Sequence, residues 1–361
     1  MQTTLSIQPH WTIRRADGNV LPPRLLALLL QVHERGSLAA ACQHLGVSYR
    51  HAWDMVRQGG ALFGAPLLTM ERGRGSRLSR LGERLVWAER RINARLAPML
   101  DSLASELEAE LRSVSCSHSS PLRIHASHGF AIEKLFDSLQ RGGLPLERRY
   151  VGTQEAVAAL HDGDCDLAGF HVPQGRFERE VLDSYATWLN PREQRLIPLA
   201  TRRQGLMVAP GNPCKVYGLH DLLRPDVRFI NRQRGAGTRL LLECMLRDEG
   251  IDATRIQGFE HGEYTHAAVA AYVASGMADV GLGVETPARA FRLDFMPLAA
   301  ERYFLLCRAD ALEAPTLRAL LRHLEAGELR SALDALPGYT MAQTPAPLTF
   351  RQAFGALPRR R

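Results

Sequence analysis

No apolar run in the sequence approaches the ~20 residues needed to span a bilayer, and Met1 to Val20 contains no apolar core of signal-peptide length. A membrane protein is excluded and a cytoplasmic address is expected. The six cysteines, Cys42, Cys116, Cys165, Cys214, Cys244 and Cys307, never form a CxxC pair. That suits reduced, mostly buried thiols better than a disulfide framework or a zinc site. His33, His44, His161, His220 and His261 show no HExxH or other ligand spacing, so no metal is expected. Asp162, Asp164 and Asp166 open like a calcium loop, but Leu167 stands where glycine is required and no glutamate follows at position twelve. No GxxxxGK[ST] occurs, and GAGTRL lacks the third glycine of a dinucleotide fingerprint. With no nucleophile beside a positioned base either, the chain does not read as an enzyme and no cofactor is expected.

What is present is a globular composition, 45% hydrophobic and 23% charged over 361 residues, long enough for two domains. The formal charge of +7 is unevenly placed. Residues 1–95 hold fourteen arginines against six acidic residues, a net of +8, which leaves about −1 for all the rest. An arginine-rich solvated surface would give the same count. The simpler physical reading is a polyanion-binding module joined to a nearly neutral one, because phosphate neutralisation with counterion release supplies most sequence-independent DNA affinity.

From Pro22, PRLLALLLQVHERGS has the spacing of an amphipathic helix closed by Gly36. Ser37 is placed to cap a second, small-faced helix, LAAACQHL, which Gly46 ends. Ser48 caps a third, YRHAWDMVRQ. Helix, glycine-containing turn and helix form a helix-turn-helix, whose second member lies in the major groove. Ala52, Trp53 and Val56 give that helix an apolar face, leaving Tyr49, Arg50, His51 and Arg57 for bases and phosphates, with Arg50 the best candidate for a base. LLTMERGRGSRLS then reads as a hairpin wing carrying Arg72, Arg74 and Arg77. With the two capping serines these residues make the expected DNA-contacting set. From Arg80 to Arg112 the spacing predicts a long helix, kinked or divided at Pro98, with Leu81, Leu85, Ile92, Leu96, Leu100, Leu103 and Leu107 as an apolar seam. A seam of that length needs a partner, so a homodimer on a palindromic operator is expected, with pairing of dimers into tetramers left open.

GSLAAACQHLGVSYRHAWDMV followed by FGAPLLTMERGRGSRLSRLGERLV resembles the winged helix-turn-helix of molybdate-dependent repressors of the ModE type, a relative of the LysR-type module. The likeness covers residues 22 to about 112.

SVSCSHSSP, residues 113–121, has the composition of a flexible joint. The expected organisation is a DNA-binding domain with its dimerisation helix (1–112), the linker (113–121), a second domain (122–345) and a basic tail (346–361). Strand and helix patterns alternate in the second domain: LRIHAS, GFAIEKLFDSLQ, LERRYVG, TQEAVAALHDG and CDLAGFHV, and later VRFIN, GTRLLLECMLRDEG, IQGFE, THAAVAAYVASG and ADVGLGV. They argue for α/β lobes with parallel strands. LIPLATRRQGLMVAPGNP, midway between the two series, is placed to carry the chain across. Two such lobes form a periplasmic-binding-protein-like fold that closes on a small ligand.

In NRQRGAGTRLLLE a strand ends at Asn231, and Gly235 and Gly237 precede a helix starting near Thr238. Free amides at a helix start, with Arg232, Arg234 and Arg239 close in sequence, make an anion site. Ser127, His128, Thr153 and His171 stand at strand ends or helix starts, where ligands of open α/β sheets collect. This half, through NRQRGAGTR, EYTH and SGMADVGLG, resembles the PBP-like effector domain of molybdate-related regulators over residues 121–330. The resemblance implies that Glu263, Tyr264, Thr265 and His266 line the cleft or its hinge, Thr265 also suiting an N-cap.

The two halves together point to a transcription factor whose DNA grip responds to a small anion. The resemblance implies molybdate, tungstate or a pterin-type molybdenum-cofactor species as effector, and molybdoenzyme or cofactor genes as targets. A solute-binding protein or an enzyme of cofactor assembly are the alternatives.

Overall fold

The computed structural model describes residues 5–71, 75–114 and 121–355. They fall into two compact units, one of Gln8–Ala94 and the other of Arg95–Arg361 with Met1–Ile7.

In the first unit, α1 (Leu25–Arg35) buries Leu25, Leu28, Leu29 and Val32, one face at helical spacing. Gly36, at φ 79°, stops it by turning left-handed. The Ser37 hydroxyl accepts from the Ala40 N–H and opens α2 (Leu38–Leu45). The Ser48 hydroxyl does the same from His51 for α3 (Tyr49–Phe63). Helix α3 runs five residues past its expected end because Gly59 is a contact point and not a stop. A Cβ there would sit 2.3 Å from Leu25 Cδ2. Strands β1 (Leu68–Glu71) and β2 (Gly75–Leu78) pair antiparallel as a wing, and its tip, Arg72 to Arg74, lies outside the described residues.

Helix α4 (Arg80–Val114) is continuous over 35 residues, with Pro98 inside it. The expected division at Pro98 does not occur. Packing on either side holds the helix against a proline penalty of about 3 kcal/mol: Leu85 and Val86 lie in the core of the first unit, and Pro98, Ala104 and Ser105 are buried in the second. The expected seam likewise changes role along the helix. Leu85 is core, whereas Met99, Leu103, Leu107 and Leu111 form an exposed apolar stripe. The expected linker, 113–121, lies largely outside the described residues, as do the last six residues of the tail.

The second unit is built on one nine-stranded sheet. In chain order its elements are β3 (Leu122–Ala126), α5 (Phe130–Arg141), β4 (Leu146–Tyr150), α6 (Thr153–Asp162), β5 (Leu167–Pro173), α7 (Glu178–Ser184) and β6 (Gln194–Val208). There follow β7 (Phe229–Arg232), α8 (Gly237–Asp248), β8 (Gly262–Glu263), α9 (His266–Ala274), β9 (Val280–Val284), α10 (Glu285–Ala290) and β10 (Asp294–Arg308). Helices α11 (Pro315–Glu325) and α12 (Gly327–Asp334), strand β11 (Tyr339–Met341) and helix α13 (Phe350–Phe354) complete it. The strand order is β4-β3-β5-β10-β6-β9-β7-β8, with β11 on β6.

The expectation of parallel strands needs correcting. Pairs β3–β4, β3–β5, β7–β9 and β7–β8 are parallel, but β6 and β10, fifteen residues each, run antiparallel to one another and to their outer neighbours β9 and β5. Strand β6 crosses between lobes as expected. Its first half pairs with the stretch of β10 that also meets β5, and Gln204–Val208 pair with β9. The return crossing by DFMPLAAERYFLLCR was not read from the sequence. IQGFE is no strand: Gly258, at φ 94°, turns the chain so tightly that a Cβ would lie 2.1 Å from the Phe229 carbonyl oxygen, and β8 forms only after it. One core joins β5 to α6, α7 and α8, another packs β3 and β10 against α5, α11 and α12.

Candidate functional site

Between the lobes lies a cavity of about 410 Å³. One wall comes from the ends of β3 and β4, through Ser127, His128, Tyr150, Val151 and Gly152. The other comes from the ends of β7 and β8, through Arg232 to Gly235 and Tyr264. The lips nearly touch, since a Cβ on Gly152 would meet the Gly235 carbonyl oxygen at 3.2 Å. Helices α5, α6 and α8 begin beside this space from Gly129, Gly152 and Ala236, and none of the three starts carries a side-chain cap. Uncapped helix starts present free N–H groups and positive dipole ends.

Arg232 is the buried cation of the cavity, whose lining also includes Glu155 and Arg234. The residue is 3% exposed. Its Nε donates to the Glu263 carbonyl at 3.1 Å and its Nη2 to the Tyr264 carbonyl at 2.9 Å, so the fork is held by neutral groups. It makes no ion pair among the described residues; Glu301 and Glu263 act on it only from beyond ion-pair range. Desolvation first, and then the nearby Arg202, pull its guanidinium well below its ordinary value, down to about 9. It remains charged at neutral pH. A buried cation without a counter-charge is costly, and an incoming anion would supply one.

Beneath Arg232, where β6 and β10 cross, Arg202 pairs with Glu301 at 2.8 Å. Gln204 Nε2 donates to Glu301 Oε2 and to Thr238 Oγ1, both at 2.8 Å. All four are buried. The buried Thr153 Oγ1, His171 Nε2 and His266 Nδ1 have no hydrogen-bond partner among the described residues. Burial first, reinforced by Arg202 and Arg232, holds both imidazoles well below the usual histidine value and therefore neutral. His171 also stacks on Tyr303, centroids 3.9 Å apart.

Of the residues expected at a ligand, Ser127, His128, Arg232, Arg234, Gly235 and Tyr264 line the cavity. Thr153 lies behind the wall, near Gly237 at the start of α8. Others serve the frame. Asn231 is fully buried and donates to the Phe259 carbonyl, Thr265 caps α9, and Thr238 is engaged by Gln204. Arg239 lies outside the lining of this cavity. It is held by Glu243 and Glu260 at 2.9 and 3.2 Å, lies over Phe259, and faces a neighbouring cavity, while Arg234 pairs with the same Glu260 at 2.8 Å. The unneutralised arginine is therefore Arg232. Arg202, Gln204, Glu301 and Pro98 were not picked out, although ATRRQG inside an otherwise apolar strand was a signal. Among the described residues no group of three or more histidine, cysteine, aspartate or glutamate side chains is arranged to hold a metal ion, and no helix is long and apolar enough to cross a membrane.

On the first unit, Ala52, Met55, Val56 and Gly59 turn inward from α3, whereas Tyr49, Arg50, His51 and Arg57 are exposed. Arg57 pairs with Asp54 at 3.3 Å, and Tyr49 sits edge-on to Trp53. The wing is tied to α2 by Ser76, whose hydroxyl accepts from the Leu38 N–H at 3.1 Å. Arg77 is exposed on β2; Arg72 and Arg74 lie outside the described residues. Ser37 and Ser48 are engaged as caps.

Residues 136–325 match the PBP superfamily domain. The chain belongs to the PBP superfamily. Residues 23–83 of this PBP-superfamily chain match the bacterial regulatory helix-turn-helix of the lysR family, so a LysR-type reader precedes a PBP-like body. The chain is 30% identical over 192 residues to the uncharacterized protein YvgK of Bacillus subtilis (strain 168), covering 53% of this chain and 62% of that one. It thus spans less than two thirds of that relative. It is 35% identical over 89 residues to the molybdenum-pterin-binding protein MopB of Rhodobacter capsulatus, 24% of this chain and 33% of that one. Among solved structures, Corynebacterium glutamicum OxyR with H2O2 bound aligns over 87% of this chain and 93% of its own, at 16% identity and TM-score 0.43.

Proposed function

We propose that this protein is a ligand-responsive, DNA-binding transcriptional regulator whose effector is a small anion held between the lobes of its PBP-like body. The single observation that carries the effector class is Arg232, a buried guanidinium with no ion pair among the described residues, beside three uncapped helix starts. The reader half rests on α3, whose inner face is packed while Tyr49, Arg50 and His51 stand exposed at its N-terminal end. Two copies join along the Met99, Leu103, Leu107 and Leu111 stripe, which fits a two-fold operator.

Molybdate, tungstate or a pterin-type anion is the finer reading of the effector, supported by the resemblance of the reader module and by the likeness to MopB. A cavity of about 410 Å³ has the size of a small-molecule site, which favours an anion attached to a larger body over a bare oxyanion. Molybdoenzyme or cofactor genes are the corresponding targets. A thermal-shift panel of molybdate, tungstate, sulfate, phosphate and pterin derivatives on the full chain tests the effector. Operator binding tests the reader: Arg50→Ala should relax sequence discrimination, and Arg74→Ala should weaken all duplexes evenly. Equal losses on every sequence, or no binding to duplex DNA at low salt, would remove the proposal.

A further inference from the structure

The second half of α4 touches both ends of the nine-stranded sheet. At one end, β4 is an edge strand, and its outward N–H groups at Arg148 and Tyr150 donate to Ser105 Oγ and Ser102 Oγ of α4 at 2.8 and 2.9 Å. At the other end is β8, whose buried Glu263 takes Arg95 of α4 at 3.3 Å. Between these attachments Pro98 is buried and forms part of the cavity wall. The two strands belong to different lobes, and both feed the cleft: β4 runs into Val151 and Gly152, and the Glu263 carbonyl fixes Arg232.

We infer that α4 is a clasp across the cleft, fastened to one lobe by Ser102 and Ser105 and to the other by Arg95, so that lobe closure on the effector loads α4 directly. Helix α4 is one unbroken helix over Arg80–Val114, so the segment that carries these attachments is continuous in chain with the residues that follow the wing. Coupling of this kind requires each attachment to depend on the other, because both act on one rigid element. Arg95 is a positioning residue in this scheme: its side chain is half-exposed and reaches the cleft only through Glu263.

The inference rests on the regulator reading, but it has a test that needs no effector. Hydrogen exchange of the full chain is followed by mass spectrometry for wild type, Arg95→Ala, and Ser102→Ala with Ser105→Ala. The clasp predicts that Arg95→Ala speeds exchange at Arg148 and Tyr150, across the cleft, by about fivefold or more, the low end of inter-site coupling. The serine variants must in turn loosen Gly262 to Tyr264. If each variant changes only its own end, the two contacts are independent and the clasp is refuted. Arg95→Lys keeps a positive charge opposite Glu263 and should retain wild-type exchange, which separates the charge pair from simple damage to α4. With molybdate as probe, a wild type that shows no thermal shift counts against the proposed effector and leaves the exchange result standing. Where wild type does respond, Arg95→Ala must keep the thermal shift and lose the molybdate-dependent change in operator affinity; retention of both would also refute the clasp.

Discussion

Replacing Arg232 by glutamine should stabilise the empty protein while destroying its ability to be stabilised by an anion. Lowering this guanidinium from its ordinary value to about 9 corresponds to about 5 kcal/mol of penalty on the charged form. Glutamine removes that charge but keeps one N–H donor, so one of the two carbonyls now served by Arg232, those of Glu263 and Tyr264, loses its partner. An unserved buried acceptor costs about 1–3 kcal/mol. The net is a gain of about 2–4 kcal/mol, within the range seen when buried charges give way to neutral residues. At about 2–4 °C per kcal/mol the melting temperature of the second unit should rise by about 4–16 °C. An anion at a hundredfold excess over its dissociation constant should add about 2.7 kcal/mol to wild type and nothing to the variant. Differential scanning fluorimetry with and without the oxyanion panel reads both effects. A variant that melts below wild type in the absence of ligand would show that Arg232 is structurally compensated, and an undiminished ligand shift would place the anion elsewhere.

Three further outcomes follow from the same geometry. Gly82→Ala places a Cβ 2.3 Å from the Leu67 carbonyl oxygen where α4 leaves the wing, so the first unit should lose about 2–4 kcal/mol in denaturant titration, as overpacking against backbone does. His171 and His266 are held below the normal value of 6.5 by burial and by the field of Arg202 and Arg232, with His128 also near. From pH 6.5 downward the unfolded chain therefore takes up protons that the folded one refuses, so stability must fall as the pH drops, which thermal melts across that range measure. Leu103→Glu with Leu107→Glu, both on the exposed stripe of α4, should convert a dimer to a monomer in analytical ultracentrifugation and lower operator affinity without moving the melting temperature of the second unit.

The reader was legible because its signals are local. Gly36 and Gly46 turn left-handed where the sequence places them, and Ser37 and Ser48 accept from the third residue of the helices they open. Each depends on a few neighbouring residues and on backbone sterics alone. Pro98 was legible only in part, for the opposite reason: the helix is not divided there. The local rule says that it breaks a helix, while burial of Pro98 and the anchors on either side of it, which no local pattern reports, keep α4 intact.

The cleft was legible only as far as strand ends and helix starts could be ordered along the chain. NRQRGAG marked a loop that lines the cavity, yet three arginines within eight residues could not be ranked from the sequence. Their ranking depends on Glu243 and Glu260, which neutralise Arg239 and Arg234, and on carbonyls rather than carboxylates meeting Arg232. The antiparallel pair β6 and β10 was half seen for a similar reason. Arg202 and Gln204 on one strand and Glu301 on the other are individually charged or polar residues in apolar strands, a pattern that argues against burial. The two charges are tolerated because the strands bring Arg202 opposite Glu301, so that they neutralise one another away from water. That pairing spans 99 positions of sequence. The buried charges of the cleft are thus the ones whose neighbours are fixed only by the completed sheet, and a sequence pattern can mark a loop without telling which of its cations lacks an acidic partner among the described residues.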